Sequence, residues 1–436
     1  SRCLAVKPLL EWLRTLPMGQ ELEPLDQLPV GFGLTIMSNS NQPKQSIQDR
    51  PIIGIIGGGQ LARMQAMAAA RLGCYIHTIE KTADCPAASV VSQHRVGDWN
   101  DAKTLEAWAQ SCDLITLENE FVEASVLEAL EEAGHQVIPS ASTMATVQDK
   151  WKQKRCLEAN GLKVPSFSQL DSPEDLTAFG KQHGWPVVLK KRKEGYDGKG
   201  NATVKEAGEA RQAWQELGGD TCKLFVEAFC PFVKELAIMV IRTPSGCQKT
   251  YPVVETEQQD HICHVVTAPA SLNPELEEQV RALGIKAVEA VQGTGCFGVE
   301  MFLTAQDEVL INELAPRVHN SGHYTIEACA CSQFENHIRA ILDWPLGGTE
   351  LLRPHAIMVN LLGKGEGPAM PQNLRQALAD PEAHLQIYGK KDSRLGRKMG
   401  HLTLCGQDPA AIRKRATRLA DSIQFGGSLM PKNQPQ

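Results

Sequence analysis

The chain has 436 residues, of which 42% are hydrophobic and 22% charged, and its formal net charge at pH 7 is −7. This length allows two or three domains with their own cores, and the composition is typical of a soluble enzyme. The acidic balance argues against general affinity for nucleic acid or membranes, and no apolar run approaches the roughly 18 residues of a membrane helix. Thirteen cysteines without regular spacing indicate reduced thiols in the cytoplasm, not a disulfide framework.

The two ends of the chain show few signs of regular structure. Residues 1–50 end in a polar run, Ser38 to Arg50, that lacks apolar periodicity, so we expect a flexible N-terminal extension. No continuous apolar segment of about 7–15 residues indicates a secretory signal. The sequence leaves open whether this extension belongs to the working enzyme. Residues 427–436 are expected to form a frayed tail.

The first predicted strand, Ile52–Ile56, leads into a glycine-rich turn. The turn Gly57-Gly58-Gly59-Gln60-Leu61-Ala62 has the spacing G-x-G-x-x-A; a helix is predicted from Met64 to Leu72, and a second strand ends at Glu80. Glycines let the backbone approach a phosphate, and a helix N-terminus offers free N–H groups. The turn predicts an anion site, and at this point a dinucleotide such as NAD is one of the candidates.

A further predicted strand, Asp113–Leu117, ends at Glu118-Asn119-Glu120, and another, Val137-Ile138, ends at Pro139-Ser140. They extend the βα pattern to about residue 150. After a strand predicted at Trp185–Lys190, the loop Lys191–Asn201 places three glycines among basic residues. Its amides and ammonium groups could close over phosphates, whereas a plain hairpin turn is the alternative. Glu227 then ends an apolar strand and Glu235 lies in the next one. Both suit the recognition of adenine or ribose hydroxyls, although solvated strand ends would look the same.

The stretch Ile311–His323 carries the strongest signal. The apolar run Val309–Ile311 predicts a buried strand that delivers Glu313, and the upstream strand Phe297–Phe302 contains Glu300. Two carboxylates on neighbouring strands repel each other unless a cation lies between them, and Mg²⁺ would turn them into a clamp on phosphates. The alternative is a solvated strand end followed by a helix cap at Asn320 and Ser321.

Together these residues resemble the ATP-grasp ligases. Lys150, Lys190, the glycine loop, Glu227, Glu235, Glu300 and Asn312-Glu313 stand in the order found in that superfamily. Within it, the chain is similar to the 5-(carboxyamino)imidazole ribonucleotide synthases of purine biosynthesis, over about Ile52 to Ile423. The segments specific to this resemblance are Gly195–Gly200, Asn312–His323, Tyr388–Lys390 and Gly396–His401.

The resemblance implies a role for each matching position. The residues implied in ATP binding are Lys150, Lys190, Gly195, Tyr196, Asp197, Gly198, Lys199, Gly200, Asn201, Glu227, Ala228, Phe229, Cys230, Glu235, Gln258, Asn312 and Glu313. Those implied in ribonucleotide binding are Gln60, Leu61, Glu118, Asn320, Ser321, Lys390, Arg397 and Lys398. The implied catalytic residues are Tyr196, Asp197, Arg317, His319 and Lys390. Glu300 and Glu313 would hold Mg²⁺, with Mn²⁺ as a substitute.

Some of these roles stay open. Asp197 would position or deprotonate the reacting amine, and His319 is a second acid–base candidate that could be tuned near neutral pH. Either residue could instead serve only as a hydrogen-bonding clamp. The chain departs from some relatives at Gln258, where they carry His, and at Lys150, where they carry Arg; the second change keeps the charge but loses the bidentate fork.

The implied fold class is α/β and α+β in three folded parts. A Rossmann-like pre-ATP-grasp domain would span 51–150, and a two-lobed ATP-grasp domain 151–345, with a mobile lobe at about 160–228. A small β-rich C-terminal domain would follow at 346–426.

The implied reaction is the carboxylation of the exocyclic amine of 5-aminoimidazole ribonucleotide with ATP and bicarbonate, through carboxyphosphate. The sequence leaves open whether carboxyphosphate itself or CO₂ released from it reaches the amine. A homodimer and a hand-over to the mutase that follows in the pathway are also implied, with no nucleic acid or membrane partner. The alternatives are another acyl-phosphate ligase, such as formate-dependent glycinamide ribonucleotide transformylase, and a dinucleotide-dependent oxidoreductase or nucleotide sensor.

Overall fold

The computed structural model of the chain describes residues 50–193, 195 and 200–426. The predictions for the tail, and those for the extension apart from Arg50, therefore lie outside the described residues. The same is true of the predicted roles of Tyr196, Asp197, Gly198 and Lys199 in the glycine loop. Within the described ranges, no helix is long and apolar enough to cross a membrane.

The first part of the fold is a four-stranded sheet in which all strands run parallel. Its strands are β1 (Ile52–Ile56), β2 (Tyr75–Glu80), β3 (Gln93–Val96) and β4 (Leu114–Leu117), in the order β3-β2-β1-β4. Its helices are α1 (Gln60–Arg71), α2 (Ala102–Ala109), α3 (Ala124–Glu132) and α4 (Ala141–Val147). The residues of β1 divide between two apolar clusters, because Ile53 and Ile55 pack on one side and Ile56 on the other. The predicted parallel α/β part is confirmed.

Two local predictions in this part need correction. Helix α1 begins at Gln60, four residues before the predicted Met64, because the extended Gly59 serves as its N-cap and the turn passes directly into the helix. Gly59 has no side chain to signal a cap. The strand predicted at Val137-Ile138 is reduced to a single parallel bridge between Val137 and Ile115.

The second part is an antiparallel sheet that carries the glycine loop. It contains β5 (Phe167–Leu170), β6 (Val187–Lys191), β7 (Asn201–Val204) and β8 (Leu224–Ala228), in the order β5-β8-β6-β7. The helices here are α5 (Lys150–Ala159), α6 (Pro173–His183) and α7 (Ala210–Glu216), with a 3₁₀ turn at Ala207–Glu209. Lys190 pairs with Asn201 across β6 and β7, so the two strands hold the ends of the loop.

The third part is a large antiparallel sheet in the order β14-β13-β9-β11-β12-β15-β19-β17, with β10 paired to β9. The strands of this sheet are β9 (Phe232–Arg242), β10 (Gln248–Thr250), β11 (Val254–Gln259), β12 (Ile262–Ala268), β13 (Gly295–Thr304), β14 (Val309–Ala315), β15 (His355–Leu362), β17 (His384–Ile387) and β19 (Lys398–Gly406). Two short strands, β16 (Gly367–Pro368) and β18 (Asp392–Ser393), pair with each other in a separate two-stranded sheet. The helices are α8 (Pro274–Ala290), α9 (Thr325–Ala328), α10 (Gln333–Ile341), α11 (Leu374–Ala377) and α12 (Pro409–Ser422), with a 3₁₀ turn at Asn320–Gly322. The C-terminal strands continue this sheet through the pairing of β12 with β15.

Helix α5 links the second and third parts of the fold. Its N-cap Asp149 accepts hydrogen bonds from the backbone amides of Trp151 and Lys152, and its carboxylate lies 2.5 Å from the Arg192 guanidinium. Gln153 of the same helix bonds both the amide and the carbonyl of Leu314 on β14. The helix is therefore held at its start by the glycine-loop sheet and along its length by the large sheet.

We expect Asp149→Ala to destabilise the protein by about 2–4 kcal/mol, because it removes a helix cap and leaves the buried Arg192 without its counter-charge. Urea denaturation gives the free energy of unfolding. The matched control is Asp101→Ala, which removes the exposed N-cap of α2 that bonds the Lys103 amide and should cost only about 1 kcal/mol. Equal losses in the two variants would contradict the proposed role of the ion pair.

Candidate active site

The two acids predicted to hold a metal lie directly opposite each other on neighbouring strands. Glu300 on β13 pairs with Glu313 on β14, and the next pair is Met301 with Ile311, so Asn312 is an extra residue in a β-bulge. A bulge interrupts the alternation of side chains along a strand. The Asn312 side-chain oxygen is buried and has no hydrogen-bond partner among the described residues. Glu313 lies inside β14, which runs on to Ala315, whereas the sequence placed it after the strand.

The electrostatics of this pair favour a cation. Burial, and then the neighbouring Glu313, raise the pKa of Glu300. Burial also opposes the charge on Glu313, but the Lys150 ammonium beside it outweighs burial and lowers its pKa. Lys150 thus stabilises the charged form of Glu313, whereas the charged form of Glu300 remains unfavourable. A further positive charge at this position would allow both carboxylates to ionise.

A second group of charges lies one helical turn along α5. The Lys154 ammonium is 3.0 Å from Glu227 Oε1 and donates to the carbonyl of Ile311 at 3.3 Å. Lys190 on β6 approaches the other oxygen of Glu227 at 2.5 Å. Burial opposes the charge on Glu227, but Lys154 and Lys190 together lower its pKa to about 2. Lys190, predicted to contact phosphate, is therefore held by the carboxylate predicted to line the adenine pocket.

The other residues predicted near the nucleoside lie on β8, β9, β11 and the turn after β8. Gln258 donates a hydrogen bond of 2.8 Å to Glu235, and burial raises the pKa of Glu235. Phe229 is 45% exposed, and Ala228 and Cys230 beside it are half-buried. The structure thus brings Gln258 and Glu235 together and leaves the aromatic ring of Phe229, in the turn after β8, partly exposed.

The glycine turn is built around Glu118. The Leu61 amide donates to Glu118 Oε1 at 3.2 Å, and a Cβ on Gly59 would lie 2.3 Å from the same oxygen. Gly57 has a φ of +106°, which an L side chain rarely adopts. The Leu61 side chain is buried in the core, whereas Gln60 is half-buried. The Leu61 side chain is therefore not available for the ligand contact predicted for it, and the Leu61 amide would have to leave Glu118 to make that contact.

Arg317 joins the glycine-turn region to the acidic pair. Its guanidinium forms a bidentate ion pair with Glu120, with Nη2 donating to Oε1 at 2.9 Å. The cavity at this position is also lined by Lys150, Gly195 and Glu313. The strand end after β4, the start of the glycine loop and Glu313 consequently meet in one cleft.

His319 lies between the acidic pair and a small polar network. Its Nδ1 is 2.9 Å from the Ser321 hydroxyl, and its Nε2 is 3.6 Å from Glu300. Burial, with Arg317 and Lys398 nearby, lowers the pKa of His319 to about 3. The near-neutral titration expected for His319 is wrong for this structure, because burial among cations keeps the imidazole uncharged.

The residues predicted to hold the substrate phosphate are engaged within the protein. The side-chain amides of Asn320 and Asn360 bond each other reciprocally, at 2.9 and 2.6 Å. Ser321 is buried against His319, so it orients that ring. The Lys390 ammonium donates to the carbonyl of Lys398 at 2.6 Å. The Arg397 guanidinium donates to the carbonyl of Asp392, also at 2.6 Å.

The sequence reasoning missed two residues of this site. Lys154 lies four residues after Lys150 on a helix, a spacing that places both side chains on one face and could have indicated its position. Glu120 stands in the segment Glu118-Asn119-Glu120, but only Glu118 received a role. The partner of Glu120 is 197 residues away, so no local pattern reveals it.

Comparisons with known proteins agree with this arrangement. Family models match the ribonucleotide synthetase preATP-grasp domain at residues 51–148, the ATP-grasp domain at 155–334, and the phosphoribosylaminoimidazole carboxylase C-terminal domain at 356–415. The N5-carboxyaminoimidazole ribonucleotide synthase of Synechococcus elongatus is 44% identical over 357 residues, which cover 81% of this chain and 89% of that relative. The chain belongs to the N5-carboxyaminoimidazole ribonucleotide synthase family.

Two solved structures from Aspergillus clavatus support this membership. The carboxyaminoimidazole ribonucleotide synthase complexed with ATP has a TM-score of 0.79 and 35% identity, covering 86% of this chain and 98% of its own. The N5-carboxyaminoimidazole synthase in complex with ADP and 5-aminoimidazole ribonucleotide has a TM-score of 0.78 and 33% identity, and the match covers 85% of this chain and 98% of that one. The resemblance to ATP-grasp ligases is confirmed, and so is the predicted fold class. An oxidoreductase or nucleotide sensor is not favoured.

In this member of the N5-carboxyaminoimidazole ribonucleotide synthase family, we expect Glu120→Gln to lower the free energy of unfolding by about 2–4 kcal/mol. The reason is that the largely covered Arg317, whose side chain is 18% exposed, loses its counter-charge. The matched control is Glu123→Gln, which breaks an exposed ion pair with Lys193 and should change stability by less than about 1 kcal/mol. Chemical denaturation of both variants measures the difference. A stability for Glu120→Gln equal to that of the control would contradict the inter-strand role of this ion pair.

Proposed function

We propose that this chain carboxylates the exocyclic amine of 5-aminoimidazole ribonucleotide in the de novo biosynthesis of IMP. ATP and bicarbonate are consumed, and 5-carboxyamino-1-(5-phospho-D-ribosyl)imidazole, ADP and phosphate are released. The observation that carries the proposal is the ion pair between Arg317 and Glu120. It holds the strand end after β4 against the segment that follows Glu313, so that residues of both segments line one cleft.

The ATP side of the cleft is supplied by α5, β6, β8 and β9. Lys150 and Lys190 would contact the phosphates. In the structure their ammonium groups lie beside the carboxylates of Glu313 and Glu227, whose place the phosphates would take. Glu235, held by Gln258, would bind the ribose hydroxyls, and Phe229 would offer an aromatic face to adenine. The closing of the glycine loop over the phosphates stays a prediction, because its central residues lie outside the described ranges.

The acidic pair fits a divalent cation. Glu300 and Glu313 face each other across β13 and β14, and the unpartnered Asn312 oxygen lies beside them, so the donor set is made of oxygens, as Mg²⁺ prefers. Glu300 and Glu313 would hold Mg²⁺, or Mn²⁺ in its place, and Asn312 would lie beside the ion or the phosphates. The ion would neutralise charge on the phosphates of ATP. Lys150 would then pass from Glu313 towards the nucleotide.

The residues around Arg317 suit the handling of small anions. Bicarbonate oxygen attacks the γ-phosphorus of ATP, the bond from that phosphorus to ADP breaks, and carboxyphosphate forms. The amine of the ribonucleotide then attacks the carboxyl carbon, phosphate leaves, and the amine loses a proton. Arg317 would hold the anions, and the uncharged His319 would serve as a hydrogen-bonding group rather than a cation. Holding both reactants together and excluding water protects the reactive anhydride from hydrolysis.

The ribonucleotide would lie between the glycine turn and the C-terminal strands. Gln60, the Leu61 backbone and Glu118 would contact it on one side, and the loops that carry Lys390, Arg397 and Lys398 would grip its phosphate on the other. Asn320, held by Asn360, completes this set. Asp197 and Tyr196 stay predicted to act on the reacting amine.

We also propose a cytoplasmic homodimer that passes its product to a mutase. The scattered cysteines support a reducing compartment, and all twelve within the described residues are free thiols. The dimer would show a mass twice the 47.7 kDa of the chain in sedimentation equilibrium. A monomer mass at micromolar concentration would contradict it.

The activity is tested by following ADP release with three sets of substrates. We expect release with 5-aminoimidazole ribonucleotide plus bicarbonate, and none above background with glycinamide ribonucleotide plus formate. NAD(H) absorbance should not change in the presence of either ribonucleotide. ADP release with glycinamide ribonucleotide plus formate, and none with 5-aminoimidazole ribonucleotide plus bicarbonate, would instead support the transformylase alternative.

Replacing Glu313 by Ala is expected to reduce ATP turnover on the order of a thousandfold, because one of the two carboxylates that would hold the metal ion at the phosphates is lost. The far-ultraviolet circular dichroism spectrum should be unchanged. Glu308→Ala is the matched control, since Glu308 lies just before β14 and forms an exposed ion pair with Lys163. The control should turn over ATP at the wild-type rate. Wild-type turnover in Glu313→Ala would rule out the metal assignment.

A further inference from the structure

Three buried charged side chains lie in contact where β6, β8 and α5 meet. Lys154 and Glu227 are almost fully buried, with 2% and 3% of their side chains exposed, and Lys190 is 12% exposed. Each ammonium faces a different oxygen of the one carboxylate. Lys154 also donates to the Ile311 carbonyl, which fixes it from the opposite side.

The charges in this group do not cancel. Lys154 and Lys190 contribute two positive charges and Glu227 one negative charge. The neighbouring carboxylate of Glu313 is already paired with Lys150, so it does not neutralise the surplus. A buried group that retains one unit of positive charge is costly in the free protein and well suited to a polyanion.

The surplus determines what happens when Lys190 moves to a phosphate. A buried carboxylate that loses its only cation becomes an unpaired charge, which is strongly destabilising. Lys154 stays beside Glu227, because Gln153 holds its helix against β14 and its ammonium donates a hydrogen bond to the Ile311 carbonyl. Lys190 can therefore leave Glu227 without stranding a charge.

We propose that Lys154 is a positioning residue that neutralises Glu227 and so keeps Lys190 available for the nucleotide phosphates. It acts through Lys190 and does not itself touch the nucleotide. This inference rests on the proposed ATP site but not on which amine is carboxylated. If Lys154 had only a structural role, replacing it would weaken phosphate binding in a way that removing the charge of Glu227 could not restore.

The test measures the affinity of the full chain for inorganic tripolyphosphate at a fixed Mg²⁺ concentration, by isothermal titration calorimetry. This probe lacks adenine, so it reports the phosphate contacts alone and does not depend on the carboxylation assay. Lys154→Met should weaken binding on the order of tenfold or more, since Lys190 and Glu227 would then form a closed neutral pair. The double variant Lys154→Met/Glu227→Gln should bind within about threefold of wild type, because Lys190 is released again.

The tripolyphosphate affinity of Glu227→Gln alone tests the proposal independently, in case Lys154→Met does not fold. With both lysines released from the carboxylate, it should bind tripolyphosphate more tightly than wild type. Lys163→Met is the matched control; it removes an exposed lysine that pairs with Glu308 at 2.6 Å and should leave binding unchanged. The proposal is overturned if folded Lys154→Met binds as wild type, if the double variant is no tighter than Lys154→Met, or if Glu227→Gln gains no affinity. Absence of tripolyphosphate binding by wild type would also overturn it.

Discussion

The candidate site depends on two carboxylates that face each other across neighbouring strands. Glu300 and Glu313 cannot both be charged in a buried cleft unless positive charge is supplied. The protein supplies part of it with Lys150, whose ammonium pairs with Glu313. We propose that a ligand supplies the remainder, namely a divalent cation that carries phosphates. Without the bulge at Asn312, the register of β13 and β14 would be regular and a residue other than Asn312 would lie beside the two acids.

The rest of the fold determines which cations surround this pair. Helix α5 offers Lys150 to Glu313 and Lys154 to Glu227 from one face, and Asp149 and Gln153 fix the helix against two sheets. Arg317 reaches the strand end after β4 through Glu120. Ion pairs between distant segments therefore both hold the parts of the fold together and set the charge of the cleft. In this way the same contacts contribute to stability and to ligand binding.

Much of the fold and the site could be predicted from the sequence, because buried strands and glycine turns leave local patterns. The parallel sheet, the order of the acids and the loop between β6 and β7 follow from such patterns. The bulge at Asn312 could not be predicted, since it depends on the register between two strands. Lys154 escaped notice because a lysine on a polar helix usually faces solvent, and only the distant Glu227 shows that it is buried. His319 was misjudged because its pKa depends on burial and on cations brought in by other elements.

The central claim is that Glu300 and Glu313 act together on a metal-bound nucleotide. The most direct test is the Mg²⁺ dependence of ADP affinity in wild type and in Glu300→Gln, measured by calorimetry with and without Mg²⁺. The account predicts that Mg²⁺ tightens ADP binding on the order of tenfold or more in wild type and by much less in the variant. An equal gain from Mg²⁺ in both proteins would contradict it.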